Sequence, residues 1–259
     1  MSNVIAIANQ KGGVGKTTTA VNLGASLAVA ERKTLLVDMD PQSNASSGLG
    51  IRLDSGDKHI YHALVGECGI REIVRKSELD FLDVVPAGRD LAGAEAELYM
   101  MNAHDRVRVL KKILEQVRQS YKYIFIDCPP SLGLLTLNAL VASDSVLVPV
   151  QCEYLSLEGL SSLVSTVEKV KESLNPSLFF EGILLTMVDL RTNLAREVEY
   201  EVRSNSRIPV YNTTVPRNVR LSEAPSHGKP IVLYDVTSTG SRSYLQLAKE
   251  FLAQKGEAA

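Results

Sequence analysis

Two lysines bracket a glycine-rich run near the start of the chain, Lys11-Gly12-Gly13-Val14-Gly15-Lys16-Thr17-Thr18. Glycines at this spacing let successive backbone N–H groups converge on an anion, and a helix that follows adds the partial positive charge of its N-terminus. In such a cradle Lys16 reaches the β- and γ-phosphates of a nucleotide, and the Thr17 hydroxyl is placed for Mg²⁺. The run departs from the common phosphate-loop spacing, which has Gly where Gln10 stands, and it carries the additional Lys11. Two more segments supply carboxylates: Asp38-Met39-Asp40-Pro41-Gln42 and Ile126-Asp127-Cys128-Pro129-Pro130. Asp127 suits a magnesium-holding role, directly or through water. Hydrolysis also needs a group that orients or deprotonates the attacking water. Asp40, where the Asp-Pro-Gln turn begins, is the candidate, with Asp38 in a supporting metal or structural role.

These residues need elements to position them. The apolar run Val4 to Ala8 reads as a strand entering the loop, and Ala20, Leu23, Leu27 and Ala30 give helical spacing after it. Strand patterns fall at 3–9, 34–38, 80–86, 122–127, 145–150, 180–188 and 208–214. Helical patterns lie near 16–30, 105–119, 132–142, 157–174, 193–205 and 240–254. Such alternation predicts an α/β fold, with a mostly parallel central sheet covered by helices on both faces. With no linker, repeat or low-complexity tract, one P-loop NTPase domain over 1–259 is expected. In a parallel sheet the C-terminal strand ends share one crevice, which would gather Asp38, Asp40 and Asp127 beside the loop. The stretch 39–62 is the longest irregular one. The last helical pattern has a broad apolar face (Tyr244, Leu245, Leu247, Ala248, Phe251, Leu252) that suits docking on the core.

Composition narrows the class. Hydrophobic content of 45% and charged content of 22% are ordinary for a soluble protein. No apolar run approaches the roughly 18 residues of a membrane span. The chain enters a strand directly after Met1, so a cytoplasmic protein without stable membrane insertion is expected. Cys68, Cys128 and Cys152 are widely spaced, with no Cys-x-x-Cys pair, which argues against disulfides and a cysteine zinc site. His59, His62, His104 and His227 read as structural. A net charge of −2 does not mark the whole surface as a nucleic-acid binder, yet a local basic face can hide within it. The C-terminal half holds Arg191, Arg196, Arg203, Arg207, Arg217, Arg220, Lys229 and Arg242, with Asp189, Glu197, Glu199 and Glu201 interspersed. Aromatic residues make up 5% of the chain and offer no stacking platform for single strands, so any DNA contact should be to duplex backbone.

The three motifs together closely resemble the deviant Walker-A ATPases of the ParA/MinD group. Pro216-Arg217-Asn218-Val219-Arg220-Leu221-Ser222-Glu223-Ala224-Pro225-Ser226-His227-Gly228-Lys229-Pro230 looks like the C-terminal signature of the chromosomal ParA proteins called Soj. The resemblance runs from about residue 2 to 253. It implies an ATPase that uses Mg²⁺ and forms an ATP-dependent sandwich homodimer. Lys11 matches the lysine that crosses to the partner's ATP, and Gly12 the glycine that lets the two backbones approach. Gly13, Val14, Gly15, Lys16, Thr17 and Thr18 match the phosphate loop, Asp40 the water-activating aspartate, and Pro216 and Asn218 the loop lining adenine. The resemblance further implies non-specific binding of double-stranded DNA on the nucleoid, through a surface including Arg191, Arg196, Arg217 and Arg220, with release by a ParB-like (Spo0J-like) partner that stimulates hydrolysis. Alternatives are a MinD-like membrane ATPase, a nitrogenase-type iron protein, an ATPase positioning another cargo, and a nucleotide-gated regulator of replication initiation. Lys249 and Lys255 are few for a basic membrane helix. Cys128 and Cys152 suit a shared cluster by count only. Plasmid relatives that repress their own promoter carry an N-terminal helix-turn-helix region, for which the loop starting at residue 11 leaves no expected room.

Overall fold

The computed structural model describes residues 2–153, 156–189 and 191–257, without the side chains of 156–158; Met1 and Ala259, the ends of the expected 1–259 span, lie outside the described residues. Strands β1 (Asn3–Ile7), β2 (Thr34–Asp38), β3 (Arg75–Lys76), β4 (Leu82–Val85), β5 (Tyr123–Asp127), β6 (Ser145–Gln151) and β7 (Phe179–Thr186) form one sheet. Their order is β3-β4-β2-β5-β1-β6-β7, and every pairing is parallel except the short β3 on β4. Helix α1 (Lys16–Val29) follows β1, and α2 (Asn44–Gly48), α3 (Ile60–Leu64) and α4 (Ile70–Ile73) follow β2. Helices α5 (Ala94–Tyr99) and α6 (Val109–Glu115) precede β5, while α7 (Leu134–Ala142) and α8 (Ser156–Ser173) flank β6. Helices α9 (Asn193–Asn205), α10 (Val219–Glu223), α11 (Ile231–Tyr234) and α12 (Thr239–Gln254) complete the order.

Period-two alternation puts successive strand residues on opposite sheet faces, and both faces are buried. In β1, Val4 and Ala6 enter one core while Ile5 and Ile7 enter the other. In β5 the same split places Ile124 and Ile126 against Tyr123 and Phe125. The first core is closed by α6, α7, α8 and α9, the second by α1 and α12. Helix α12 docks as its apolar face predicts: Phe251 meets Tyr123 edge-on at 5.2 Å, and Tyr244 Oη lies 3.2 Å from Thr19 Oγ1 on α1. Just beyond α12, Glu257 accepts from Arg32 at 3.1 Å and from the Tyr123 hydroxyl at 3.0 Å.

The chain passes from β5 to β6 across β1, so the strand order reverses there and a crevice opens at the C-terminal end of β1. That is where the glycine-rich run sits.

Three element expectations need correction. Residues 208–214 form no strand; they run beside β7 with isolated bridges at Val210 and, further on, Pro216. Pro209 has no N–H to give, and the N–H groups of Asn212 and Thr213 turn away to the Glu250 carboxylate at 2.7 and 2.8 Å. The helix expected over 105–119 is confined to α6, with a 3₁₀ turn at Arg118–Ser120. The irregular stretch 39–62 contains α2 and enters α3.

Candidate functional site

The phosphate cradle is built by backbone conformation. Gly13 and Gly15 hold φ of 73° and 87°, a region open to glycine at little cost, and Gly15 is the residue from which α1 starts. Neighbouring strands pin the loop at two points, β6 through Asn9 and β7 through Thr186. The Asn9 side chain accepts from Lys11 N at 3.0 Å and donates to Pro149 O on β6 at 2.7 Å. From the end of β7, the Thr186 hydroxyl donates to Val14 O at 2.8 Å. A Cβ at Gly12 would meet nothing nearer than Pro130 Cβ at 4.0 Å, so this chain alone does not demand glycine there.

Lys16 is buried, and its ammonium donates to Lys11 O at 3.0 Å. Burial lowers its pKa, while Asp127, Cys128 and Asp40 act in the opposite direction. The four groups therefore share one crevice, as the strand-end argument requires. Lys11 Nζ pairs with Glu153 Oε2 at 3.1 Å, and Gln151 Nε2 holds the other Glu153 oxygen at 2.6 Å.

Two buried aspartates end adjacent strands as register partners, Asp38 on β2 and Asp127 on β5, and the structure treats them oppositely. Asp38 is saturated. Its Oδ2 accepts from Ser46 N at 2.8 Å and Ser46 Oγ at 2.7 Å, and its Oδ1 accepts from Asp40 N at 3.1 Å. Its pKa is pushed up to about 6 by burial, against those hydrogen bonds. Asp127 has both oxygens buried without a hydrogen-bond partner among the described residues. Burial first, then the Asp38 carboxylate, raise its pKa; Thr17 lies close enough to favour the charged form without meeting hydrogen-bond geometry. An orphaned buried carboxylate is costly unless a cation completes it. Asp127 with Thr17 thus fits a hard divalent ion such as Mg²⁺, whereas Asp38 has no oxygen to spare. Asp40 is 7% exposed, and its Oδ1 accepts from Gln42 N at 2.9 Å, which fixes the carboxylate against its own turn.

Beside the cradle, a cavity of ≈ 360 Å³ is lined by Gly15, Thr18, Met187, Pro216, Arg217, Asn218 and Tyr244. Asn218 caps α10, accepting from Leu221 N at 3.1 Å and donating to Thr239 Oγ1 at 2.7 Å. The structure therefore brings Lys11, Gly12, Gly13, Val14, Gly15, Lys16, Thr17, Thr18, Asp40, Asp127, Pro216 and Asn218 to one crevice and its adjoining cavity. The four arginines are less uniform. Arg191 is held by Asp189 through two hydrogen bonds of 2.7 and 2.6 Å, and Arg220 pairs with Glu223 at 2.9 Å and Asp235 at 3.5 Å. Arg196 and Arg217 are exposed and make no ion pair among the described residues. Sequence reasoning missed Glu153, Thr186 and Ser46. The first two stand at or just past the ends of β6 and β7, where the strand-end rule already applied to β2 and β5 would have found them. Ser46 has no such signal.

The AAA domain family matches residues 2–180. Chromosome partitioning protein ParA of Myxococcus xanthus is 58% identical over 252 residues, 97% of this chain and 88% of that protein. Sporulation initiation inhibitor protein Soj of Bacillus subtilis is 58% identical over 253 residues, 98% of this chain and 99% of that one. Among solved structures, cobyrinic acid a,c-diamide synthase from Mycobacterium smegmatis with bound ADP and magnesium superposes with a TM-score of 0.86 at 35% identity, covering 99% of this chain and 96% of that chain. Near-complete coverage at this identity joins the cradle, the two carboxylate-bearing strand ends and the C-terminal cavity to one family: the chain belongs to the ParA/Soj chromosome-partitioning ATPases.

Proposed function

We propose that residues 1–259 act as one ATP-driven switch that moves or positions DNA. The reading is carried above all by the Asp127 carboxylate, without a hydrogen-bond partner among the described residues and in the same crevice as Lys16, a charge arrangement completed by Mg²⁺ and a nucleoside triphosphate. Lys16 exchanges its contact with Lys11 O for β- and γ-phosphate oxygens, and the N–H groups of residues 12–18 hold the rest. Asp127 and the Thr17 hydroxyl hold Mg²⁺. When bound, the ion supplies charge neutralisation on the phosphate oxygens. Asp40 orients the attacking water and takes its proton. Pro216 and Asn218 line the base. The names of the relatives support chromosome partitioning as the setting, and the bound ADP and magnesium of the structural neighbour support the cofactors.

Two ATP-bound chains pair face to face, with Lys11 of each reaching the ATP of the other in the manner of an arginine finger. The open space beside Gly12 supports this, because the demand for glycine then comes from the partner backbone. The dimer binds duplex DNA through its backbone, without sequence preference, and works on the nucleoid. A ParB-like partner stimulates hydrolysis and releases it. Arg196 and Arg217, exposed and in no ion pair among the described residues, are the better placed cations, with Asp189 acting on Arg217 only at longer range; Arg191 and Arg220 must first give up their partners.

The test is ATP hydrolysis by the whole chain with and without plasmid DNA and the cognate ParB-like protein, alongside gel shifts with ATP or ADP. Expected are turnover that rises only with both additions and a shift specific to ATP. Hydrolysis indifferent to DNA and partner would overturn the reading.

A further inference from the structure

We propose that Ser46 is a positioning residue for hydrolysis, whose buried hydroxyl holds the loop that carries Asp40. The inference rests on the reading of Asp40 as the water-orienting group. Ser46 lies on α2, 2% exposed. Its hydroxyl donates to Asp38 Oδ2 at 2.7 Å and accepts from Ala87 N, just past β4, at 3.1 Å. Its own N–H donates to the same Asp38 oxygen at 2.8 Å, and the other Asp38 oxygen receives Asp40 N at 3.1 Å. One carboxylate at the root of the loop thus grips Asp40 and the far end of the loop together. Ser46 adds the strap to β4.

The loop needs such a clamp. Ser43 adopts a φ of 55°, which side chains other than glycine rarely take and which persists only where the surroundings enforce it. Its N–H bonds Asp40 O at 2.9 Å, and its carbonyl receives Ser47 N at 3.0 Å. The strained turn is therefore continuous with Asp40 on one side and α2 on the other. Cutting the strap lets Asp40 move relative to the crevice, where a misplacement of about 1 Å costs roughly 100-fold in rate. Ser46 itself touches no reacting atom: its one proton is committed to Asp38, and burial keeps it from solvent. It acts through Asp40.

The experiment compares Ser46→Ala, Ser46→Thr, Asp40→Ala and the Ser46→Ala/Asp40→Ala double variant in the full chain. Single-turnover ATP hydrolysis is followed over hours with DNA and the ParB-like partner present, and ATP affinity is measured by equilibrium binding. Ser46→Ala should slow hydrolysis about 10- to 100-fold with ATP affinity within about twofold. Ser46→Thr, which keeps the hydroxyl, should restore most of the rate. In the Asp40→Ala background, Ser46→Ala should cost nothing further, because both changes remove one function. An unaltered Ser46→Ala rate, a loss that Ser46→Thr fails to rescue, or a loss that multiplies with that of Asp40→Ala would overturn the proposal. So would a loss confined to ATP affinity, the mark of a merely structural hydroxyl. Normal hydrolysis by Asp40→Ala would instead remove its premise, and that outcome is separately visible.

Discussion

Asp38 and Asp127 are the same residue type at matching ends of adjacent parallel strands, yet the fold surrounds them in opposite ways. The Asp38 oxygens accept from Ser46 and Asp40, while those of Asp127 have no hydrogen-bond partner among the described residues. A buried carboxylate without partners destabilises the fold that holds it, a cost carried for function. Asp127→Asn should therefore raise the melting temperature of the nucleotide-free protein by about 2–4 °C per kcal/mol relieved. The same variant should lose the gain in ATP affinity that Mg²⁺ confers. Differential scanning calorimetry and ATP binding titrated with and without magnesium test both halves; a lower melting temperature with intact magnesium dependence would refute the assignment. At this scale the sequence was legible where a residue lies inside a short motif, as with Lys16, Asp40 and Asp127. It was silent about Ser46, because the Asp38–Ser46–Ala87 chain is made by folding and has no spacing of its own.

Elements carry these residues into register, and α5 shows how far a short one can reach. Its Glu95 sends Oε1 to Leu135 N at 3.2 Å, capping α7 directly behind the Asp127–Pro130 segment. A Cβ at Gly133 would run into that carboxylate, so a larger residue there would push the Glu95 side chain off the cap. Capping by a carboxylate satisfies an orphan N–H and suits the positive end of the helix. Glu95→Ala should destabilise the protein by ~1 kcal/mol and slow partner-stimulated hydrolysis, because the start of α7 anchors the segment after Asp127. Glu95→Gln, which keeps an acceptor oxygen, should lose less of both. Thermal melts beside steady-state hydrolysis check this, and equal losses in the two variants would point to charge rather than capping. Six of the strands were legible as apolar runs, since strands buried on both faces read that way. The segment 208–214 deceived for the same reason: it has a strand's composition, but Glu250, 37 and 38 residues away, takes its N–H groups.

For the molecule as a whole, the loop from Lys11 to Thr18 would be half of a site if two ATP-bound chains pair as proposed. Both lysines are occupied within their own chain, Lys16 on Lys11 O and Lys11 on Glu153. If Lys11 serves the partner's ATP, the Glu153 contact must break in each chain as the dimer forms. The pair is partly exposed, with side chains 29% and 47% accessible, so solvent screens it. An exposed pair of this kind is worth ~0.5 kcal/mol. Broken twice per dimer, it opposes association by ~1 kcal/mol, roughly fivefold in the equilibrium constant. Glu153→Gln should accordingly dimerise in ATP at about fivefold lower protein concentration, with unchanged ATP affinity in the monomer. Sedimentation equilibrium across a protein dilution series measures the shift. Gly12→Val supplies the opposite arm, since it should bind ATP and stay monomeric. A weaker dimer in Glu153→Gln would mean that Glu153 helps to build the interface, and that Lys11 keeps this partner when two chains meet.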